Sequence, residues 1–351
     1  MSEARKAVLL VNLGSPNSTD EQDVRRYLRE FLLDKRVIDV PYLLRKFLIE
    51  AFVLPKRPAN SAAAYKRIWW DEGSPLVVLS ERVKKEVATH VKLPVALAMR
   101  YGEPSIPDVL KALFTAHPKL EELLLVPLYP HYAMSSYETV VERVKEVVSK
   151  QRPQLQLSIQ PPFYNDGAYL DAMAATIRPY LEEAPYDHLL FSYHGIPERH
   201  LRKSDPTNKH CLQSADCCST KSTAHATCYR HQCFETTNAL VERLQLKEGS
   251  WSNSFQSRLG RDPWLKPYTD FEVERFAQEG VKRLVVVCPS FVSDCLETLE
   301  EIGMEARDEF RKHGGEELVL VPCLNEQPKW IETLTGWIHS FDTAGKSVAT
   351  S

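Results

Sequence analysis

Glycine is scarce in this 351-residue chain: 13 residues, fewer than the 23 prolines, and about half the usual share of a globular protein. No G-x-G-x-x-G and no G-x-x-x-x-G-K-[ST] occurs, so the common glycine-built phosphate cradles are missing. That excludes nucleotide-binding enzymes of the ordinary kinds. An excess of one charge is missing too. The 44 Lys and Arg stand against 47 Asp and Glu, a formal net charge of −3, which excludes nucleic-acid binding through a basic surface. No uninterrupted apolar run of about 18 residues exists, so no spanning helix is expected. The opening MSEARKAVLLVNLG has an apolar run too short for a signal peptide and continues as a strand. A cytoplasmic protein is therefore expected. The 43% apolar and 26% charged fractions exclude wholesale disorder, and the length allows two domains or one large two-lobed one.

Short apolar runs of strand length do recur, at about 7–13, 94–100, 122–129, 155–160, 188–193, 251–256, 283–288 and 317–322. Between them lie helical patterns at 20–33, 41–53, 77–91, 105–115, 136–150, 167–183, 232–244, 269–279, 296–312 and 328–340. Near-continuous apolar strands alternating with helices predict an α/β fold, a parallel sheet covered on both faces. In such sheets ligands bind beyond the carboxyl ends of strands. The unusual residues lie there: Gly14-Ser15-Pro16, Arg100-Tyr101-Gly102, Pro130-His131-Tyr132, His194-Gly195-Ile196-Pro197 and Pro289-Ser290-Phe291. They also repeat. Arg100-Tyr101-Gly102 returns as Arg258-Leu259-Gly260, Pro130, Tyr132, Glu138 and Thr139 return as Pro289, Phe291, Glu297 and Thr298, and Gly14 and Pro16 match Gly195 and Pro197. Two similar lobes follow, 1–155 and 156–351, the second carrying both His194 and Glu297.

Three stretches carry candidate chemistry. His194 ends an apolar strand at a Gly-Ile-Pro turn, where an imidazole with an ordinary pKa of about 6.5 can act as a base or metal ligand. Glu297 and Glu301 are four apart on one helical face, with Asp294 and Glu300 close by. Carboxylates there favour a helix N-terminus, with Asp294 as cap; facing a cleft, the same row offers hard oxygen ligands to a divalent cation. Five of the eight cysteines (Cys211, Cys217, Cys218, Cys228, Cys233) fall within 23 residues, which in a reducing compartment reads as metal binding before disulfide. Thiolates so spaced select zinc or an iron–sulfur cluster, and the interleaved His200, His210, His225 and His231 keep zinc open. The segment 41–54, PYLLRKFLIEAFVL, is a core helix or an exposed apolar lip for a hydrophobic substrate or a membrane surface.

Taken together, these motifs resemble ferrochelatase, the enzyme family that inserts Fe2+ into a porphyrin. VNLGSP, YLREFLLDKRVIDVP, YKRIWWDEGSPL, LAMRYGEPSI, PLYPHYA, FSYHGIPER, DPWLKPYTD, CPSFVSDCLETLEEI and CLNEQPKW follow in the family's order from about residue 6 to 340. The resemblance implies two similar Rossmann-like α/β lobes, each a parallel sheet flanked by helices, with a porphyrin cleft between them and an apolar lip at about 31–54. It implies that His194 and Glu297 are the catalytic pair and that His194, Glu297 and Glu301 meet the substrate Fe2+. Leu13, Arg67, Arg100, Tyr101, Tyr129 and Trp264 match positions that line the macrocycle or its propionates. The expected reaction turns protoporphyrin IX into protohaem with loss of two protons, the last step of haem biosynthesis. Within the same fold the alternatives are a coproporphyrin III ferrochelatase, another tetrapyrrole metal chelatase, and a non-catalytic haem or iron–sulfur sensor. The lip implies peripheral contact with the inner face of a membrane.

Two departures from the family pattern stand out. Cys295 occupies a position where many members have a second histidine. The cysteine segment, at about 207–233, contains an apparent internal insertion, residues 207–228 between Asp205-Pro206 and Tyr229, with Cys233 outside it, whereas animal-type members bind a 2Fe-2S cluster with ligands from a C-terminal extension. Met134 stands where those members have their lone upstream ligand. The resemblance therefore implies a 2Fe-2S cluster of the bacterial, internal kind, structural or sensory rather than catalytic, held by four of the five clustered thiols. A monomer is expected, since animal-type members dimerise through that extension.

Overall fold

A computed structural model describes residues 4–258 and 262–344. Two members of the internal repeat, Leu259 and Gly260, lie outside the described residues. The chain forms two compact units. One comprises Met1–Leu128, Met134–Pro161 and Trp330–Ser351, the other Tyr129–Ala133 and Pro162–Lys329. The helix Pro328–Thr343 thus returns almost wholly to the first unit, where Lys6 Nζ donates to the Phe341 carbonyl at 3.1 Å.

Each unit is built on one four-stranded, fully parallel sheet. The first holds β1 (Lys6–Asn12), β2 (Val95–Met99), β3 (Glu122–Pro127) and β4 (Gln156–Ile159), in the order β2-β1-β3-β4. The second holds β5 (His188–His194), β6 (Trp251–Gln256), β7 (Arg283–Val287) and β8 (Glu317–Leu320), in the order β6-β5-β7-β8. The two orders are the same, as the sequence repeat predicts. Central strands β1 and β5 are buried along nearly their whole length, which is why they read as unbroken apolar runs rather than alternating ones. Helices cover the sheets; in the second unit Val273, Phe276 and Phe310 pack with Leu190, Leu284 and Val286 into one core. The chain winds outward from β1 to β2 on one side and from β3 to β4 on the other, and likewise from β5 to β6 and from β7 to β8, so each sheet has its switch point between its two central strands.

Glycine appears where a side chain has no room. A Cβ on Gly14, at φ +100°, would lie 1.8 Å from the Tyr101 carbonyl oxygen, and one on Gly195 would lie 2.7 Å from that of Gln256. Those close approaches join the loop after β1 to the loop after β2, and the loop after β5 to the end of β6.

The apolar segment is a helix, Tyr42–Leu48, continued by a π-helical turn, Ile49–Val53. It is not a core helix. Tyr42, Leu43, Leu44, Phe47, Leu48 and Phe52 are exposed, and only Arg45 and Ile49 turn inward. Among the described residues no helix is long and apolar enough to cross a membrane.

Candidate active site and cysteine loop

The second sheet delivers His194 at the last position of β5 and Glu297 in the short helix Leu296–Leu299 that follows β7, on either side of the switch point. His194 is half-buried. Its Nδ1 lies 2.6 Å from the Gly195 carbonyl oxygen; a carbonyl only accepts, so Nδ1 carries the proton and Nε2 keeps its lone pair. Burial pushes the His194 pKa down. The charge of Glu297 and the Gly195 carbonyl pull the other way without restoring it. The imidazole is thus neutral at pH 7, with Nε2 available as a base.

Glu301 opens a π-helical turn, Glu301–Ala306. Its carboxylate accepts from Ser257 N at 2.8 Å, from Ser257 Oγ, and from Gln256 Nε2 at 3.3 Å. Burial nevertheless dominates, and with the charge of Glu297 it raises the Glu301 pKa to about 7. Gln256 joins the parts. Paired with His194 across the sheet, it accepts from Ser192 Oγ at 2.8 Å and donates through Nε2 to the Glu297 carbonyl oxygen at 2.7 Å. The sequence reading missed Gln256 and Ser257. Their only sequence signal is a polar end to the apolar strand beside the switch point.

The acidic row extends further than expected. Beside Glu301 a cavity of about 470 Å³ is lined by Glu305, Glu309, Glu274 and Asp270, with Arg258 and Tyr268 at its wall. The four-residue spacing 297, 301, 305, 309 was the available signal. Asp294 is not part of this row. Its oxygens accept from Thr298 Oγ1 at 3.0 Å, Asn325 Nδ2 at 2.7 Å and Cys323 N at 3.3 Å, so it anchors the loop. Nor does it cap the helix: Cys295 does, its thiol accepting from the Thr298 amide while Thr298 Oγ1 accepts from Cys295 N at 3.0 Å. Burial, joined by the nearby charge of Glu297, raises the Cys295 pKa. Cys288 and Cys323 are core residues, as expected.

The remaining candidates divide between the units. In the first, Arg100 Nε donates to Thr139 Oγ1 at 2.8 Å and its Nη2 pairs with Asp34. Asp34 also accepts from Tyr101 Oη at 3.0 Å. Burial alone would raise the Asp34 pKa; the bonds from Thr139 and Arg36 and the charge of Arg100 outweigh it, and the net shift is downward. Tyr101 is fully buried against Phe31, at 0% exposure. It therefore supports Arg100 rather than presenting a face of its own. Leu13, half-buried, accepts from Tyr101 N at 2.9 Å, and Arg67 is exposed on the helix Arg57–Ile68. In the second unit Tyr129 and Trp264 are half-buried, and Trp264 packs 3.3 Å from where a Gly195 Cβ would stand.

The cysteine insertion folds around Asp205. Burial works against its charge, but bonds from Cys211 N at 2.9 Å, Thr207 Oγ1 at 2.7 Å, His210 N at 2.8 Å and Thr207 N at 2.8 Å keep its pKa below the ordinary carboxylate range. These bonds fold the loop back on itself, so that its thiols influence one another. The neighbouring Cys218 thiol, more than that of Cys211, favours the Cys228 thiolate against its burial, and the Cys228 pKa falls to about 6. Cys217 lies close enough to both Cys211 and Cys218 to raise their pKa values further. Cys233 is buried one helical turn on, bonded to Tyr229. His210 and His225 bond the Cys217 carbonyl at 2.7 and 3.0 Å, and His231 that of Cys218 at 2.7 Å. Among the described residues, no three His, Cys, Asp or Glu side chains stand in metal-ligand geometry.

Comparison with known proteins completes the description. The family model described as Ferrochelatase matches residues 5–341. A ferrochelatase of Pseudomonas fluorescens (strain SBW25) is 54% identical over 340 residues, covering 96% of this chain and 98% of the relative. One of Pseudomonas putida is 52% identical over 331 residues, covering 93% and 97%. Among solved structures, SirB from Bacillus subtilis with Fe3+ shares the fold at a TM-score of 0.55, with 12% identity over 98% of each chain.

Proposed function

The chain belongs to the ferrochelatase family, and we propose that it inserts Fe2+ into protoporphyrin IX, releasing two protons and forming protohaem. The observation that carries this reading is the neutral His194, with Nε2 unprotonated, beside the acidic row that starts at Glu297. Metal insertion needs both functions at once. Two pyrrole N–H protons must leave the macrocycle as a dication enters, and no electron is transferred. Pyrrole nitrogens are poor acids, so a base must stand ready on one face. His194 Nε2 serves as that base, taking one proton and releasing it to water before it takes the second, and burial keeps it unprotonated at pH 7 between transfers.

Fe2+ approaches along the carboxylates of the cavity beside Glu301. Hard oxygens suit it, and a row of them concentrates a dication without trapping it in a closed cage. Glu301, poised at about 7, exchanges its proton for the arriving charge, and Glu297 hands the ion on. Cys295 caps the short helix that carries Glu297. On the substrate side, Arg100 holds a propionate, fixed by Asp34 and Thr139 with Tyr101 behind it. Leu13, Arg67, Tyr129 and Trp264 contact the macrocycle.

We further propose that the loop binds a 2Fe-2S cluster, its thiols closing into ligand geometry only around the cluster. Such a cluster takes four thiolates, and Cys211, Cys217, Cys218 and Cys228 are the four within the insertion, with Cys228 already favouring the thiolate. Cys233, bonded to Tyr229, is left to the core. When bound, the cluster supplies a covalent brace for the insertion; insertion of Fe2+ calls for no electron from it. We place the protein in the cytoplasm as a monomer, with the lip around Tyr42–Val53 resting on the membrane from which an apolar porphyrin is drawn.

The test is anaerobic incubation with Fe2+ and protoporphyrin IX, following the loss of free-porphyrin absorption. Turnover with coproporphyrin III alone assigns the other ferrochelatase reaction. Insertion of a different metal into a different tetrapyrrole assigns another chelatase, and binding without turnover assigns a sensor.

A further inference from the structure

We propose that Tyr229 is a positioning residue that ties the cysteine loop to His194, so that the arrangement of the loop's thiols sets the stance of the catalytic histidine. The inference rests in part on the cluster reading above, and its experiment separates the two.

The insertion ends at Cys228, and the helix Tyr229–Leu244 starts at the next residue. Cys228 is the residue before that helix, in extended conformation at φ −88° and ψ 100°. Its thiol is the one that both Cys218 and Cys211 influence. Just before it, Thr227 Oγ1 donates to the Ser204 carbonyl at 2.6 Å. The first turn of the helix is stitched to the loop as well. His231 bonds the Cys218 carbonyl at 2.7 Å, and Gln232 Nε2 donates to the carbonyls of Ala226 and His225 at 3.0 and 3.2 Å. The start of the helix therefore moves with the loop.

Tyr229 carries that position into the active site. Its hydroxyl donates to the His194 carbonyl oxygen at 2.8 Å and lies 2.7 Å from Ser290 Oγ. Ser290 Oγ in turn accepts from the His194 amide at 3.3 Å. Each group has one proton to give, and a single assignment uses all three. His194 N–H donates to Ser290, Ser290 O–H to Tyr229, and Tyr229 O–H to the His194 carbonyl. This closed ring clamps the peptide groups on both sides of the His194 Cα. The backbone there decides where Nε2 points, because Nδ1 is fixed on the next carbonyl, that of Gly195. One covalent bond separates Cys228 from Tyr229, and one hydrogen bond separates Tyr229 from His194.

Tyr229→Phe removes the hydroxyl and keeps the ring that packs against His131. Loss of the two hydrogen bonds that the hydroxyl makes in the ring predicts a kcat lower by about tenfold or more, with KM and the porphyrin Kd, read by fluorescence, unchanged. Amide hydrogen exchange at His194, a readout independent of turnover, should quicken by a similar factor. Cys228→Ser should produce the same two changes from the loop side, and Ser219→Ala, whose hydroxyl bonds only the Asp216 carbonyl, should produce neither. The double variant Tyr229→Phe/Cys228→Ser should be no worse than either single one. Losses that multiply, or a Tyr229→Phe protein with wild-type kcat and exchange, overturn the proposal. If Tyr229→Phe does not fold, Ser290→Ala breaks the same ring and is read the same way. A wild-type protein without colour or labile sulfide defeats the cluster reading alone; the Tyr229→Phe kcat and His194 exchange still decide the role of Tyr229.

Discussion

Glu301 should give the second unit an unusual dependence on pH, and Glu301→Gln should abolish it. The ordinary carboxyl pKa is 4.5, and in the folded protein burial, joined by the charge of Glu297, lifts that of Glu301 to about 7. A group with a raised folded pKa contributes its stability in full below the unfolded value and loses it as pH rises through the folded one. Above about pH 5 the unfolded chain ionises this carboxyl freely while the folded chain resists; above 7 the fold must hold a poorly hydrated charge. At about 1.4 kcal/mol per pKa unit, this one group should cost about 2.5 kcal/mol of stability between about pH 5 and 8.5. The amide of the variant does not titrate. Urea unfolding followed by tryptophan fluorescence across this range, with Trp251 and Trp264 in the second unit, should show the wild-type curve falling relative to the variant by that amount. Comparing slopes rather than absolute values removes the change in the bonds to Ser257 and Gln256. Parallel curves would refute the burial argument.

Gly195→Ala places a Cβ 2.7 Å from the Gln256 carbonyl oxygen and 3.3 Å from the Trp264 ring, and should destabilise the fold by about 1–3 kcal/mol in denaturant while lowering kcat; a neutral effect contradicts the close approach. Asp34→Asn should cost about 1–3 kcal/mol at pH 7. The Asp34 pKa is lowered on folding, so the wild-type advantage exists above the unfolded carboxylate pKa and should fade as pH falls through the folded value; an advantage constant to pH 2 would sink the argument. Phe47→Glu/Phe52→Glu, altering two exposed rings in edge contact, should weaken binding to anionic vesicles by tenfold or more, on the order of the value of two buried aromatic side chains. Unchanged vesicle binding would show that the lip rests on something else.

The parts legible in sequence were those governed by local pattern. Burial on both faces makes a parallel strand a continuous apolar run, and β1 to β8 all stand within two residues of where those runs place them. The position of His194 at a strand end beside a switch point followed from the same rule. Where local pattern is ambiguous, the reading stopped. The helix Arg57–Ile68 escaped notice because its start, Arg57-Pro58-Ala59-Asn60-Ser61, looks like a loop, although proline is well tolerated in a first helical turn. The pattern at 296–312 is not one helix but two short ones joined by a π-helical turn, and only that turn aims Glu301 at Ser257 and Gln256. The exposure of Phe47 and Phe52 likewise depends on what the rest of the chain leaves uncovered. Gln256 and Tyr229 are the hardest kind of residue to read from sequence. Their roles come from hydrogen bonds to residues 41 and 35 positions away, and no periodicity announces them.

The central claim is that His194 Nε2 takes the pyrrole protons. The measurement that tests it most directly is paired turnover and binding on His194→Ala with Fe2+ and protoporphyrin IX. The account predicts that the variant quenches porphyrin fluorescence with a wild-type Kd yet forms no haem above the uncatalysed rate. Haem formation by that variant at close to the wild-type rate would contradict it.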